Sequence, residues 1–304
     1  MKTLTVFTPA YNRAHTINRT YESLCRQTSK DFEWLIVDDG STDNTADIIK
    51  QFIEEDKVSI KYIHQKNQGM HGAHNTAYAN IDTELNVCID SDDYMPDDAV
   101  EKIVTFWKSR TEEERGNYAG LVGLDIDTDG KLIGKAFPDG VIDTTTVEFN
   151  DYEACGDKKL VYRTDIVKKY PSYPLFDGER YVGLDYLYVS IDQDYRLLVM
   201  NEPLVIVDYQ LDGSSFGMYR QYWNNPQGWC FYRKEMMKMK TSTPSFILRQ
   251  CIHYVSSCIR AGRWNVLKDN PKPLYTLVAS PAGIALYFYI RNKVKKGAIT
   301  NFQK

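Results

Sequence analysis

Four residues, Asp90-Ser91-Asp92-Asp93, follow directly on the apolar run Leu85-Asn86-Val87-Cys88-Ile89. A short hydrophobic run rich in β-formers reads as a buried strand, so the carboxylates stand at its carboxyl end, where open α/β sheets bind ligands. Three acids within four residues repel one another unless a cation neutralises them. Hard oxygen donors suit Mg²⁺ or Mn²⁺, above all when phosphate oxygens complete the coordination. The segment also fits a solvated Asp-rich turn, since Pro96 and Asp97-Asp98 have the character of a helix start. Taken alone, it leaves both readings open.

A second acidic strand end lies upstream. The run Phe32-Glu33-Trp34-Leu35-Ile36 leads into Val37-Asp38-Asp39-Gly40-Ser41-Thr42-Asp43, so two strands finish in paired aspartates. A third strand, Leu4-Thr5-Val6-Phe7-Thr8, runs into Pro9-Ala10-Tyr11-Asn12-Arg13, a turn able to present an aromatic ring at the same edge. Together these ends supply a ring platform, carboxylate acceptors for base or ribose, and an acid for a metal ion. A nucleoside diphosphate needs that set of groups.

Thr8-Pro9-Ala10-Tyr11-Asn12, Val37 to Asp43, Asn67-Gln68-Gly69 with His74-Asn75, and Asp90-Ser91-Asp92-Asp93 resemble, in kind, order and spacing, the family 2 glycosyltransferases. The resemblance covers roughly the first hundred residues. It implies the nucleotide-sugar-binding GT-A fold and transfer of a sugar from a UDP-linked donor to an acceptor hydroxyl, with Mn²⁺ or Mg²⁺ as cofactor. Residue by residue, it implies that Pro9, Tyr11 and Asp39 line the uridine pocket, with Asp38 as the alternative to Asp39. Asp90 contacts ribose or a metal-bound water, with Ser91 also on the donor side, Asp92 holds the cation, and Asp93 is its second ligand or faces the acceptor. His74 stands where many relatives carry Arg and would touch the diphosphate; without the motif it reads equally as an ordinary helix histidine.

Sugar transfer with inversion needs a carboxylate to take the acceptor proton. Similar enzymes carry an acidic pair opening a helix some ninety residues after the metal motif. Tyr181-Val182-Gly183-Leu184-Asp185-Tyr186-Leu187-Tyr188 matches that stretch, and Asp185 is the expected base, although Leu184 replaces the usual preceding acid. Asn201 to Tyr209 is similar to the segment closing the family's core, and the Gly213-Ser214-Ser215 loop after it lacks the Arg or His that would cover the diphosphate.

Strands and helices must alternate to position these residues. Helical patterns over Ala14 to Gln27, after Ser41, over His71 to Asn80 and over Pro96 to Arg110 separate the strands, with Val58 to Ile63 as another strand. That order predicts an α/β fold with a mostly parallel sheet flanked by helices. Tyr118 to Ile126 and Lys131 to Lys135 flank Asp127-Thr128-Asp129-Gly130, which predicts an antiparallel hairpin. Strand-like Lys159 to Tyr162 follows, then a helix near Thr164.

Charge divides the 304 residues unevenly. From Phe216 onward there are 15 basic and two acidic residues, and before it 22 basic and 39 acidic, or about +13 against −17. This predicts a catalytic domain over 1–215 and a basic, aromatic-rich, mainly helical extension over 216–304. In the extension, Leu274 to Ala279 and Ile284 to Ile290 are apolar, interrupted by Ser280-Pro281-Ala282-Gly283 and followed by Arg291, Lys293, Lys295 and Lys296. Such a segment is too broken for a span of about 20 residues. It suits in-plane attachment to an anionic membrane surface, the alternative being a helix packed on the catalytic domain. Scattered basic residues without a motif give no reason to expect nucleic acid.

Six cysteines without a C-x-x-C pair, and a first strand beginning at once, are expected of a reduced, cytoplasmic protein, peripheral on the inner face of a membrane. The expected function is a metal-dependent, inverting hexosyl or N-acetylhexosaminyl transfer to a glycan or lipid-linked glycan in surface or capsular polysaccharide synthesis. A sugar nucleotidyltransferase is the rival enzyme, and would need a glycine-rich basic first loop that Thr8 to Arg13 does not provide. A sugar-nucleotide-binding module without turnover is the rival outside enzymes.

Overall fold

The computed structural model describes residues 2–149, 151–152, 154, 156–208, 218–240 and 242–296. The expected boundary between 215 and 216, and the Gly213-Ser214-Ser215 loop, lie outside them. The chain forms two compact units, Met1–Ser172 with Leu187–Tyr209, and Tyr173–Tyr186 with Gln210–Lys304.

In the first unit the elements are β1 (Leu4–Ala10), α1 (Ile17–Arg26), β2 (Phe32–Asp38), α2 (Thr45–Glu55), β3 (Ile60–His64), α3 (Met70–Asn80), β4 (Leu85–Cys88), α4 (Ala99–Lys108), α5 (Glu112–Gly116), β5 (Tyr118–Asp127), β6 (Asp143–Thr144), β7 (Lys158–Arg163) and α6 (Thr164–Val167). Helix α7 (Asp185–Ile191) follows, then β8 (Arg196–Val207) returns to the sheet. The eight strands stand in the order β3-β2-β1-β4-β7-β5-β8-β6.

β1 pairs in parallel with β2 and β4, β2 with β3, and β5 with β8, whereas β7 runs antiparallel to both β4 and β5. Two reversals restore direction, so β4 and β5 point the same way. The carboxyl ends of β1, β2, β4 and β5 therefore share one edge with the amino end of β7. That edge is where the acidic segments emerge.

β1 is buried over its whole length, as a near-continuous apolar central strand must be. Its alternate residues serve opposite faces. Leu4, Val6 and Ala10 join the main core with Ile17, Leu24, Trp34, Ile36, Phe52, Ile103 and Trp107, and Phe7 meets the α3 rings of His74 and Tyr78 edge-on at 5.1 and 5.4 Å. Tyr21 of α1 stacks on Phe52 of α2 with centroids 3.9 Å apart. Burial of such side chains contributes roughly 1.5–3 kcal/mol each. Trp34 Nε1 donates to Thr8 Oγ1 at 2.9 Å, so the indole is buried without an orphaned N–H.

The hairpin expected around Asp127 to Gly130 forms with a short second arm: the Asp127 N–H donates to the Lys131 carbonyl at 2.8 Å and the Ile133 N–H to the Asp125 carbonyl at 2.9 Å. Ile126 bridges Leu132 in isolation, while β5 itself pairs with β7 and β8. β7 and β8 hydrogen-bond to the two edges of β5, so its pairing lies mainly with these long-range partners. Gly120 marks how closely β5 meets β7: at φ +148° its added Cβ would lie 2.0 Å from the carbonyl oxygen of Val161. Gly120→Ala is expected to cost about 2–3 kcal/mol or more, read as a lower denaturant midpoint with an unchanged slope.

The second unit is helical: α8 (Met218–Asn224), α9 (Pro226–Met236), α10 (Pro244–Arg260) and α11 (Pro273–Lys295). Cys230, Met237, Ile247, Cys251, Tyr254, Cys258 and Ala279 form its core. Glu179 caps α9, its carboxylate accepting from the N–H groups of Gln227 at 2.9 Å and Gly228 at 2.8 Å. The apolar segment expected to break at Ser280–Gly283 is one helix that runs through Pro281. Proline removes one backbone donor there, and Gly283 keeps the contact by letting the helix approach Val255, within 2.6 Å of where a Cβ would sit.

Candidate functional site

The loop after β2 is fixed to the loop after β1 by short polar side chains. Asn12, at φ 54°, accepts from the Thr42 N–H at 2.8 Å, while its own N–H donates to Ser41 Oγ at 2.9 Å. Arg13 N–H donates to Thr45 Oγ1 at 2.8 Å. Asn tolerates the left-handed conformation better than other non-glycine residues, which explains its place in this turn. Tyr11 is left 47 % exposed beside it, and Pro9 is buried in β1.

Asp38 and Asp39 are both buried and take different partners. Asp38 Oδ1 accepts from the Ser41 N–H at 2.8 Å, and Oδ2 from the Tyr62 hydroxyl at 2.9 Å. Burial and this bond raise the Tyr62 phenol. Asp39 Oδ1 accepts from Gln65 Nε2 at 2.7 Å and the Gln68 N–H at 2.8 Å, and Oδ2 from the Gly69 N–H at 2.8 Å. Asp39 thus ties the 65–69 loop to the end of β2. Gly40, at φ +80°, has the Asn67 N–H 2.9 Å from a would-be Cβ, so this crossing admits no side chain.

At the end of β4 the chain turns tightly, with the Asp93 N–H donating to the Asp90 carbonyl at 3.0 Å. Asp90 and Asp92 are partly exposed; Ser91 and Asp93 are buried. Thr20 Oγ1 donates to the Asp93 carbonyl at 2.7 Å, and the Asp208 N–H donates to Asp93 Oδ1 at 3.2 Å. Burial pushes the Asp93 carboxyl up to about 7, opposed by Lys159 and assisted by Asp90. Asp93 is therefore the poorly solvated carboxylate of the cluster, and Asp90 and Asp92 are the accessible ones.

Among the described residues, no three His, Cys, Asp or Glu side chains gather closely enough to hold a metal unaided. Mg²⁺ commonly takes one or two carboxylates together with substrate phosphates. An accessible Asp92 next to Asp93 fits a cation that shares its coordination with a diphosphate.

His74 lies on α3 among Phe7, Tyr78 and Cys88, with Nε2 3.7 Å from Cys88 Sγ. It is 1 % exposed, and burial lowers it to about 3, so the ring is neutral and offers no positive charge to a phosphate. Its position is that of a packing residue. Asp185 opens α7 and belongs to the second unit, where it accepts from the Tyr232 hydroxyl at 2.5 Å. Burial raises its carboxyl, and the Tyr232 bond and Arg233 oppose the rise. Tyr232 had no local signal to mark it, since it lies 47 residues away in α9.

Lys159, next to Lys158 at the amino end of β7, is a basic residue of the acidic edge. Burial pulls its ammonium down, but Asp125, Asp90 and Asp93 outweigh that and raise it. Asp125 is buried at the end of β5 and raised by burial, against the influence of Lys159.

Residues 5–112 match the family model described as Glycosyl transferase family 2. Glycosyltransferase GlyA of Streptococcus pneumoniae is 32 % identical over 154 residues, covering 49 % of this chain and 22 % of that protein. The chain thus spans about a fifth of that relative's length. S. aureus TarS 1-349 in complex with UDP-GlcNAc matches with TM-score 0.63 at 17 % identity, over 100 % of this chain and 94 % of that one. Mannosyltransferase PcManGT from Pyrobaculum calidifontis, in complex with GDP-Man and Mn²⁺, matches with TM-score 0.55 at 17 % identity, over 95 % and 82 % of the two chains. At such identities the two structures establish the fold, which is GT-A.

Proposed function

We propose that this chain, a family 2 glycosyltransferase by its residues 5–112, moves a hexose or N-acetylhexosamine from a UDP-sugar to an acceptor hydroxyl, with metal dependence and inversion. One observation carries the reading: three parallel strands end together, and their ends bear Tyr11, the Asp38–Asp39 pair and the Asp90–Asp93 turn. The uridine would rest on Tyr11 and Pro9, with Asp38 or Asp39 accepting from the base and Asp90 with Ser91 on the ribose side. Asp92, with Asp93 as second ligand, would hold Mn²⁺ or Mg²⁺, which when bound supplies positive charge against the departing diphosphate. Asp185 would take the acceptor proton. UDP complexed to a fold relative and Mn²⁺ to another support this choice of donor and ion.

The test is release of UDP from a panel of UDP-sugars. Turnover with Mn²⁺ that EDTA stops, and at least one preferred sugar, is the expected result; no release with any donor at saturating Mn²⁺ would overturn it.

The acceptor reading is a lipid-linked glycan for surface or capsular polysaccharide, met at the cytoplasmic face of a membrane. Helix α11 supports it. By length and composition it is apolar enough to cross a bilayer. One stripe, Thr276, Ala279, Gly283 and Ile290, is buried, while Leu274, Leu277, Val278, Ile284, Phe288 and Tyr289 are exposed. No charge lies between Lys272 and Arg291, and no acid follows Asp269. Large exposed apolar faces mark interaction sites, and one bounded by lysine and arginine suits an anionic leaflet. In flotation with vesicles rich in phosphatidylglycerol, the full chain is expected to float, and the chain with Leu277, Val278 and Phe288 changed to Ser to remain below. Equal recovery of both in the soluble layer would count against attachment.

A further inference from the structure

We propose that Lys159 is a built-in counter-cation of the Asp90–Asp93 cluster, keeping a divalent ion from settling there until a nucleoside diphosphate enters with it. The inference rests on the donor reading above and adds an order to the binding of its two components.

The geometry comes from one reversed strand. β7 lies between β4 and β5 and runs against both, so its first residues reach the edge where those strands end. Lys159 pairs in register with Gly123, two residues before Asp125, and β7 meets β4 at Val161 and Val87, three residues before Asp90. A parallel strand in that position would have brought its carboxyl end here instead. The ammonium thus stands among carboxylates from two strands, and its strengthened charge agrees with that placement.

Charge then decides the order. Asp125, Asp90 and Asp93 all act on the one ammonium, so the edge stays attractive to cations but less so than the acids alone would make it. A divalent ion arriving by itself meets repulsion from Lys159 at short range. A diphosphate would reverse the sign of that contribution, since the same ammonium would attract its oxygens while Asp92 would hold the ion. Lys159 therefore disfavours the free ion and favours the ion-nucleotide pair. It acts through the cluster and is a positioning residue.

The test is Mn²⁺ binding followed by electron paramagnetic resonance, with and without UDP, on the full chain. Wild type is expected to bind Mn²⁺ weakly alone and more tightly with UDP. Lys159→Met and Lys159→Gln are expected to bind Mn²⁺ alone roughly tenfold more tightly or better, with a smaller gain from UDP, and Lys159→Arg to match wild type. Folded Met and Gln variants whose Mn²⁺ affinity equals that of wild type, beside normal UDP uptake, would overturn this proposal alone. Wild type that takes up no UDP in Mn²⁺ would overturn the donor reading and this proposal with it. A purely structural lysine would lower thermal stability in all variants without separating the two Mn²⁺ titrations.

Discussion

Asp92→Ala is expected to lower metal-dependent turnover by about 10³-fold or more, because it removes the accessible carboxylate that would hold the cation. Asp93 cannot replace it. Its carboxyl is buried, already accepts from the Asp208 N–H, and is raised to about 7, so at neutral pH it is only partly charged. Asp90 takes part in the turn through its backbone carbonyl, which accepts from the Asp93 N–H. The fold should survive, since Asp92 is partly exposed on a turn and not in the core. The measurement is UDP release across a Mn²⁺ series, with the melting temperature as control. Turnover within tenfold of wild type at saturating Mn²⁺ would remove Asp92 from the metal site.

The strand ends were readable because each combines a buried apolar run with an abrupt polar turn. β1, β2 and β4 carry this change within one residue, and short turn residues such as Asn12, Gly40 and Ser41 give it a physical cause. Three features had no such local mark. β7 reads as a strand, but its direction depends on which neighbours it finds, so Lys159 could not be assigned to the acidic edge. His74 has a polar side chain on a weakly amphipathic helix, and only the fold turns it toward Phe7 and Cys88. Pro281 looks like a break, yet helical hydrogen bonds on either side and the close packing of Gly283 hold one helix together. In each case tertiary contacts decided between conformations that the local residues allow equally.

Asp185→Asn is expected to cut sugar transfer by roughly 10²- to 10⁴-fold while leaving UDP affinity in calorimetry within about twofold. A base must be ionised to accept a proton, and burial makes ionisation of Asp185 harder. The Tyr232 hydroxyl works the other way, donating to Oδ2 and favouring the charged form. This sets the sign of a second measurement. Because the carboxyl is raised, activity should climb with pH along an acid limb lying above the range of an ordinary aspartate. Tyr232→Phe removes a donor to the carboxylate, so the limb should move higher still, with kcat on the alkaline plateau nearly unchanged. A helix-capping role for Asp185 predicts something else: Asn, a good cap itself, would preserve turnover, and Tyr232→Phe would alter stability without moving the limb. Retention of transfer by Asp185→Asn would therefore assign the proton to another acid, with Asp177, Glu179, Asp192 and Asp194 the nearest in sequence. Glu179 is already committed to the first turn of α9, and Asp192 to Thr146, whose N–H donates to it at 2.9 Å. Asp194 accepts from the Tyr170 hydroxyl at 2.9 Å, so Asp177 would then be the carboxylate to replace next.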